Sequence, residues 1–144
     1  MSTIYKARKV VRGSAVAEAI VCPAGFSFMG DVDMSSGEIV AEGNPNKGRT
    51  IKGKVLIYRE TKGSSGGCVV LMTLAHKGLA PSAIVTMKPA DYNMTEGAIL
   101  SKVPFMCTPD ADLLTQIETG NLVRVDADAG QIEVLRTDMA KVHD

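Results

Sequence analysis

The sequence Lys54-Val55-Leu56-Ile57-Tyr58 opens the stretch that decides the fold, because a short run of β-branched and aliphatic residues predicts a buried strand. The turn Gly63-Ser64-Ser65-Gly66-Gly67 follows, and a helix is predicted over about residues 65–77, ending where Gly78 can take a left-handed cap. A second β-prone run, Ala83-Ile84-Val85-Thr86, comes next. Strand, helix and strand in this order predict a crossover with parallel pairing, and therefore an α/β fold.

The segments on either side predict further strands and short helices. Residues 4–21 alternate apolar and charged stretches around Gly13-Ser14, which predicts an opening hairpin, and residues 122–126 and 131–135 predict a closing hairpin. Helices are expected over about residues 95–103 and 110–118, with a short strand over 104–106 between them. Residues 23–33 hold two aromatic residues between glycines, and we expect them to form a functional loop.

The composition bounds the class of protein. The 144 residues fit one domain, 1–144, and 45% hydrophobic with 22% charged residues is ordinary for a globular chain. A formal net charge of +0 supplies no positive field to attract nucleic acid or an anionic membrane, so neither is an expected partner. The apolar runs are too short to span a bilayer, and no signal-peptide pattern opens the chain, so the predicted location is cytoplasmic.

The cysteines and acidic residues give little support for a metal site. The three cysteines, Cys22, Cys68 and Cys107, are widely spaced with no histidine close by, so buried free thiols are the expectation. A three-cysteine iron–sulfur site is the alternative, since thiolates hold such clusters. Asp31 and Asp33 are expected to be turn-forming or solvated carboxylates, because the other ligands of a calcium loop are missing.

The glycine-serine turn is the main candidate for chemistry. Glycines let the backbone approach a ligand closely, and a helix start behind them offers N–H groups and a positive dipole end, which together suit an anion. A simple N-cap is the plain alternative. Neither His76, at the far end of the predicted helix, nor His143, in the tail, is placed to activate Ser64, so a Ser-His-Asp hydrolase is disfavoured.

Four motifs occurring in order resemble those of one family, the small subunit of aconitase X. The resemblance covers about residues 5–125. Its motifs are Phe26-Ser27-Phe28-Met29-Gly30-Asp31-Val32-Asp33, Gly48-Arg49-Thr50-Ile51-Lys52-Gly53-Lys54-Val55-Leu56, Lys62-Gly63-Ser64-Ser65 and Gly78-Leu79-Ala80-Pro81-Ser82-Ala83-Ile84. The resemblance implies a swivelling β/β/α domain, a partly closed β-barrel-like sheet with flanking helices, that docks onto a larger catalytic subunit.

The resemblance also implies roles for particular residues in a hydro-lyase reaction on a hydroxy acid. Ser64 would accept a proton, Ser65 and Gly66 would hold a substrate carboxylate, and Ser27 would line the same cleft. The iron–sulfur cluster would be held by the partner large subunit, with no metal ligand from this chain, and its iron would act as a Lewis acid on the leaving hydroxyl.

Two substrates fit this family, cis-3-hydroxy-L-proline and phosphomevalonate. Asp31 and the stretch Glu60-Thr61-Lys62 depart from the phosphomevalonate pattern and place negative charge near the expected phosphate site, which favours the hydroxyproline. Phosphomevalonate is the alternative, since Lys62 could compensate. A non-catalytic module that only binds a small anion is a further alternative.

Overall fold

The computed structural model of the chain describes residues 2–63 and 66–137. Their strands are β1 (Thr3–Lys6), β2 (Arg8–Val11), β3 (Ser14–Cys22), β4 (Val55–Tyr58), β5 (Ala83–Thr86), β6 (Phe105–Cys107), β7 (Leu122–Asp126) and β8 (Gln131–Arg136). Their helices are α1 (Phe28–Asp31), α2 (Gly67–His76), α3 (Tyr92–Ser101) and α4 (Leu113–Gln116). The chain is therefore a mixed α/β protein, as the order of strand, helix and strand predicted.

The described strands form one eight-stranded sheet in the order β1-β8-β7-β3-β4-β5-β6-β2. Strands β3, β4, β5 and β6 are parallel neighbours, which confirms the predicted parallel crossover from β4 through α2 to β5. Strands β1 and β2 are the two ends of this order and do not pair with each other, so the sheet does not close into a barrel. Helices flank the sheet.

The predicted opening hairpin is wrong, whereas the closing hairpin of β7 and β8 is confirmed. Strand β1 pairs with β8, β2 pairs with β6, and β3 pairs with β4 and β7. The chain turns at Gly13, where an added Cβ would lie 2.8 Å from Cγ of Pro104. Strands β2 and β3, on either side of this turn, therefore pair with different strands and not with each other. The alternation of apolar and polar side chains along a strand does not reveal which strand it pairs with.

The helices differ from their predicted bounds mainly at their starts. Helix α2 begins at Gly67 and ends at His76, close to the predicted end. Helix α3 begins earlier than predicted, at Tyr92, because the Asp91 side chain accepts a hydrogen bond from the Met94 N–H at 3.0 Å and caps it. Helix α4 is a single turn, and α1 is an irregular turn in the loop expected over residues 23–33.

Apolar residues cover both faces of the central strands. Every residue of β4 and β5 is buried, as expected for parallel strands with layers on both sides. One cluster packs α2 and α3 onto the sheet through residues such as Leu71, Leu74 and Met94. The other cluster joins residues of β4 to residues of β6, β7 and β8, so the sheet curves around it.

Candidate functional site

The carboxyl ends of the parallel strands form one edge of the sheet, and the candidate site lies there. The register aligns Cys22, Tyr58, Thr86 and Cys107, which are the last residues of β3, β4, β5 and β6. The loops that leave these residues include the loop containing Ser27, the glycine-serine turn and the start of α3. Ligands of open α/β sheets bind at this edge, beyond the carboxyl ends of the strands.

The loops that follow β3 and β4 run side by side. The N–H of Phe26 donates to the carbonyl of Glu60 at 3.0 Å, and the N–H of Lys62 donates to the carbonyl of Phe26 at 3.0 Å. This pairing brings Ser27 against Gly63, where an added Cβ would lie 3.4 Å from the Ser27 Oγ. The structure therefore brings together two of the segments that the sequence analysis selected.

Three buried aromatic rings form the floor beneath these loops. The centroid of the Phe26 ring lies 5.3 Å from that of Phe28 and 5.2 Å from that of Tyr58. The Tyr58 hydroxyl shares a hydrogen bond of 3.0 Å with the Thr61 hydroxyl. Burial raises the pKa of Tyr58 well above its usual range, so this phenol stays protonated. Its role is therefore to hold the loop after β4 through Thr61, not to transfer a proton.

The hydroxyl of Ser27 is held by its own loop. Its Oγ donates to the Met29 carbonyl at 2.8 Å, and its backbone N–H donates to Oδ2 of Asp31 at 2.9 Å. Ser27 as a whole is 8% exposed, so only a small part of the residue is accessible to a ligand. Asp31 is a turn-forming carboxylate, and so is Asp33, whose pKa is lowered by hydrogen bonds from Ser35.

Ser64 and Ser65 lie outside the described residues, and their roles stay predictions. The glycines around them are described. Gly63 has a φ of 89°, a left-handed conformation that favours glycine. An added Cβ on Gly66 would collide with Cε of Met29, so Gly66 is packed against the loop that contains Ser27.

The start of α2 is capped from α3. Oδ1 of Asn93 accepts a hydrogen bond of 2.9 Å from the N–H of Cys68, the second residue of α2. Contrary to the expectation for this helix start, the Cys68 N–H is therefore not available to an anion. Sequence reasoning missed Asn93, although the strand order indicates that the segment after β5 reaches the same edge as the glycine-serine turn.

The two histidines give no base near the turn. His76 is the exposed last residue of α2, and the rise of nine residues places it roughly 13 Å along the helix from Gly67. His143 lies outside the described residues. The described part of the chain thus offers no histidine for a Ser-His-Asp arrangement at this edge.

The three cysteines are free and buried, which confirms the first expectation for them. Cys22 lies beside Asn44 and Asn46, Cys68 beside Met72, and the Cys107 thiol accepts from Thr108. Cys22 and Cys107 are separated by three strand spacings, roughly 14 Å, too far to hold one cluster. Burial raises the pKa values of Cys22 and Cys68, which disfavours the thiolate form that a cluster requires.

The described residues contain neither a cluster of metal ligands nor a helix that could cross a membrane. In residues 2–63 and 66–137 no group of three His, Cys, Asp or Glu side chains could hold a metal ion. Over the same residues, no helix has the length and apolar character needed to cross a membrane.

Comparison with known proteins assigns the family. Residues 4–134 match the aconitase X swivel domain. The chain belongs to the aconitase X swivel-domain family. It is 37% identical over 130 residues to the phosphomevalonate dehydratase small subunit of Thermococcus kodakarensis, covering 90% of this chain and 95% of that one. The corresponding protein of Archaeoglobus fulgidus is 34% identical over 131 residues, covering 91% and 98%.

A solved structure agrees with this assignment. The crystal structure of Thermococcus kodakaraensis aconitase X in its holo-form matches with a TM-score of 0.87 and 36% identity, over 93% of this chain and 99% of that chain. The expected swivel-domain fold is confirmed, and the protein is the small subunit of an aconitase X-like dehydratase, which implies a large-subunit partner. The names of the relatives support the alternative substrate, phosphomevalonate, better than the hydroxyproline.

Proposed function

We propose that this aconitase X small subunit, docked to its large subunit, dehydrates phosphomevalonate and that Ser64 accepts the proton. The observation that carries the proposal is the position of the two glycines that flank Ser64 and Ser65 in the sequence. Gly63 lies against Ser27, and Gly66 lies against Met29 of the same loop and immediately precedes α2. The relatives named above act as phosphomevalonate dehydratase subunits, which supports the choice of substrate.

The small subunit contributes proton removal and anion binding. Dehydration removes a proton from the carbon beside the one that bears the hydroxyl. Ser64 takes that proton as its alkoxide and becomes a hydroxyl. Ser65 and Gly66 would bind a substrate carboxylate beside the positive dipole end of α2. Ser27 lines the cleft beside Gly63, and its hydroxyl oxygen offers an acceptor to the substrate.

The iron–sulfur cluster typical of aconitase-like enzymes does not fit the thiols of this chain. Cys22, Cys68 and Cys107 are separate, buried and engaged with different neighbours. We therefore assign the cluster to the large subunit. Departure of the hydroxyl would depend on that subunit, so neither chain would be active alone.

The acidic residues that first favoured the hydroxyproline do not stand against phosphomevalonate. The Asp31 carboxylate accepts the Ser27 N–H, so its charge is engaged within the loop. Lys62 lines a cleft of about 180 Å³ with Asp31 and Gly25, and its stem lies 3.3 Å from a Cβ built on Gly25. Lys62 is the basic residue of this cleft, whose lining also includes the acidic residue Glu42. We assign the second anionic group of phosphomevalonate to Lys62.

The test is reconstitution of the purified chain with its large subunit. Phosphomevalonate and cis-3-hydroxy-L-proline are offered separately, and loss of water is followed by NMR. We expect turnover of phosphomevalonate by the complex, no turnover by either chain alone, and a fall of about 10² to 10⁴ in kcat for Ser64→Ala with unaltered assembly. Faster turnover of the hydroxyproline would reverse the choice of substrate.

A separate measurement addresses the non-catalytic alternative. If the chain only binds an anion, the large subunit alone turns over substrate at the rate of the complex. Full activity of the Ser64→Ala complex would remove the serine from the reaction. Gln131→Glu, an exposed change on β8, is the matched control and should leave turnover unaltered.

A further inference from the structure

One polar contact joins the amino ends of α2 and α3. Oδ1 of Asn93 accepts the Cys68 N–H at 2.9 Å, across 25 residues of sequence. Cys68 is the second residue of α2, and N–H groups in a first turn have no partner within their own helix. A residue of α3 therefore supplies the acceptor for this N–H, since Gly66, the residue before α2, has no side chain to cap it.

The two helix starts are packed closely enough to fix this contact. An added Cβ on Gly97 would lie 3.2 Å from Cα of Cys68, and one on Gly67 would lie 3.1 Å from Sδ of Met94. Asn93 and Gly97 are four residues apart and share one face of α3. The small residues thus let the helices approach until the Asn93 amide reaches the backbone of α2.

The two caps at this edge differ in charge. The start of α3 is capped by a carboxylate, because Asp91 accepts the Met94 N–H at 3.0 Å. The start of α2 is capped by the neutral amide of Asn93. A carboxylate would bond the Cys68 N–H equally well, but its negative charge would cancel the positive end of α2.

We propose that Asn93 is a positioning residue of the dehydratase, which fixes the start of α2 beside the serine turn without adding negative charge there. This inference rests on the proposed roles of Ser64 and Ser65. The residue acts through α2: its bond to Cys68 holds the helix that follows the turn, and its neutrality keeps that end attractive to a substrate carboxylate.

The decisive variant is Asn93→Asp in the complex with the large subunit, with phosphomevalonate as substrate. The carboxylate retains an acceptor for the Cys68 N–H, so this bond between α2 and α3 is kept. Its charge should raise KM by about tenfold or more, and the rise should diminish as pH falls and this carboxyl is protonated. Gln131→Glu adds the same charge on exposed β8 and should leave KM unaltered.

Asn93→Ala completes the test, because it removes the bond without adding charge. It should lower kcat more than it raises KM, since it loosens the helix behind the turn. If Asn93→Asp leaves KM and its pH profile unaltered, or if Asn93→Ala changes only the Tm, the positioning role is refuted. Ser64→Ala is measured in parallel, and its full activity would refute the proposed function whatever Asn93 does.

Discussion

Replacing Asn46 by Ala tests how the end of β3, next to the Ser27 loop, is held. Strand β7 pairs with β3 only as far as Glu18, so the later residues of β3 need other partners on that side. The Val21 N–H donates to Oγ1 of Thr119 at 2.9 Å, and the Val21 carbonyl accepts from Nδ2 of Asn46 at 2.7 Å. Thr119 in turn donates to Oδ1 of Asn46 at 3.1 Å, which closes a ring of hydrogen bonds.

The expected loss follows from the groups that Asn46→Ala leaves without a partner. Asn46 is 3% exposed, so water cannot readily replace its amide at the Val21 carbonyl, and an unpaired buried acceptor costs about 1–3 kcal/mol. Thr119 is half-buried and can turn its hydroxyl to water, which adds about 0.5 kcal/mol or less. The free energy of unfolding should fall by about 1–3.5 kcal/mol, and the Tm by roughly 3–14 °C.

Urea unfolding followed by circular dichroism measures this change. The slope of the free energy against urea should stay the same, because the surface exposed on unfolding does not change. Lys47→Ala, an exposed neighbouring change, is the control and should alter stability by about 0.5 kcal/mol or less. A loss for Asn46→Ala no larger than that of the control would refute the reasoning.

Three further predictions concern the supports of the site. Tyr58→Phe removes the hydrogen bond to Thr61 and should lower the free energy of unfolding by about 1 kcal/mol in urea titrations; a neutral result would mean that the pair contributes nothing. Burial raises the pKa of the Cys22 thiol, so as pH rises above about 8.5 the unfolded chain loses this proton first and stability falls. Cys22→Ala should weaken that fall. If the free energy of unfolding of Cys22→Ala varies with pH as that of the unaltered chain does, Cys22 is not the source of the fall. Ser27→Ala should raise KM of the complex by about tenfold with little change in kcat, if one substrate hydrogen bond is lost; an unaltered KM would remove Ser27 from the cleft.

Much of the central fold could be predicted from short-range patterns. The runs 54–58 and 83–86, with a helix between them, were enough to indicate a parallel crossover, because each element has its own periodicity and end signals. The closing hairpin could be predicted for the same reason, since its turn joins two strands that pair with each other. The opening strands could not, because β1 and β2 take partners more than ninety residues away.

The site was predictable only in part. The glycines and hydroxyls around residue 64 indicate an anion turn, and the order of motifs indicates the family. Asn93 and Asn46 could not be selected, because an amide gains its role from a contact across the fold and has no local signal. The preference for hydroxyproline relied on the charge of Asp31, and a sequence does not show that this carboxylate is engaged by the Ser27 N–H.

The central claim is that Ser64 of this small subunit moves a proton in a site completed by the large subunit. The most direct measurement follows exchange of the substrate proton with deuterated solvent by NMR, which reports proton removal apart from the loss of hydroxyl. The unaltered complex should exchange the proton, and the Ser64→Ala complex should assemble normally yet exchange it about 10² to 10⁴ times more slowly. Exchange by the Ser64→Ala complex at the unaltered rate would contradict the account.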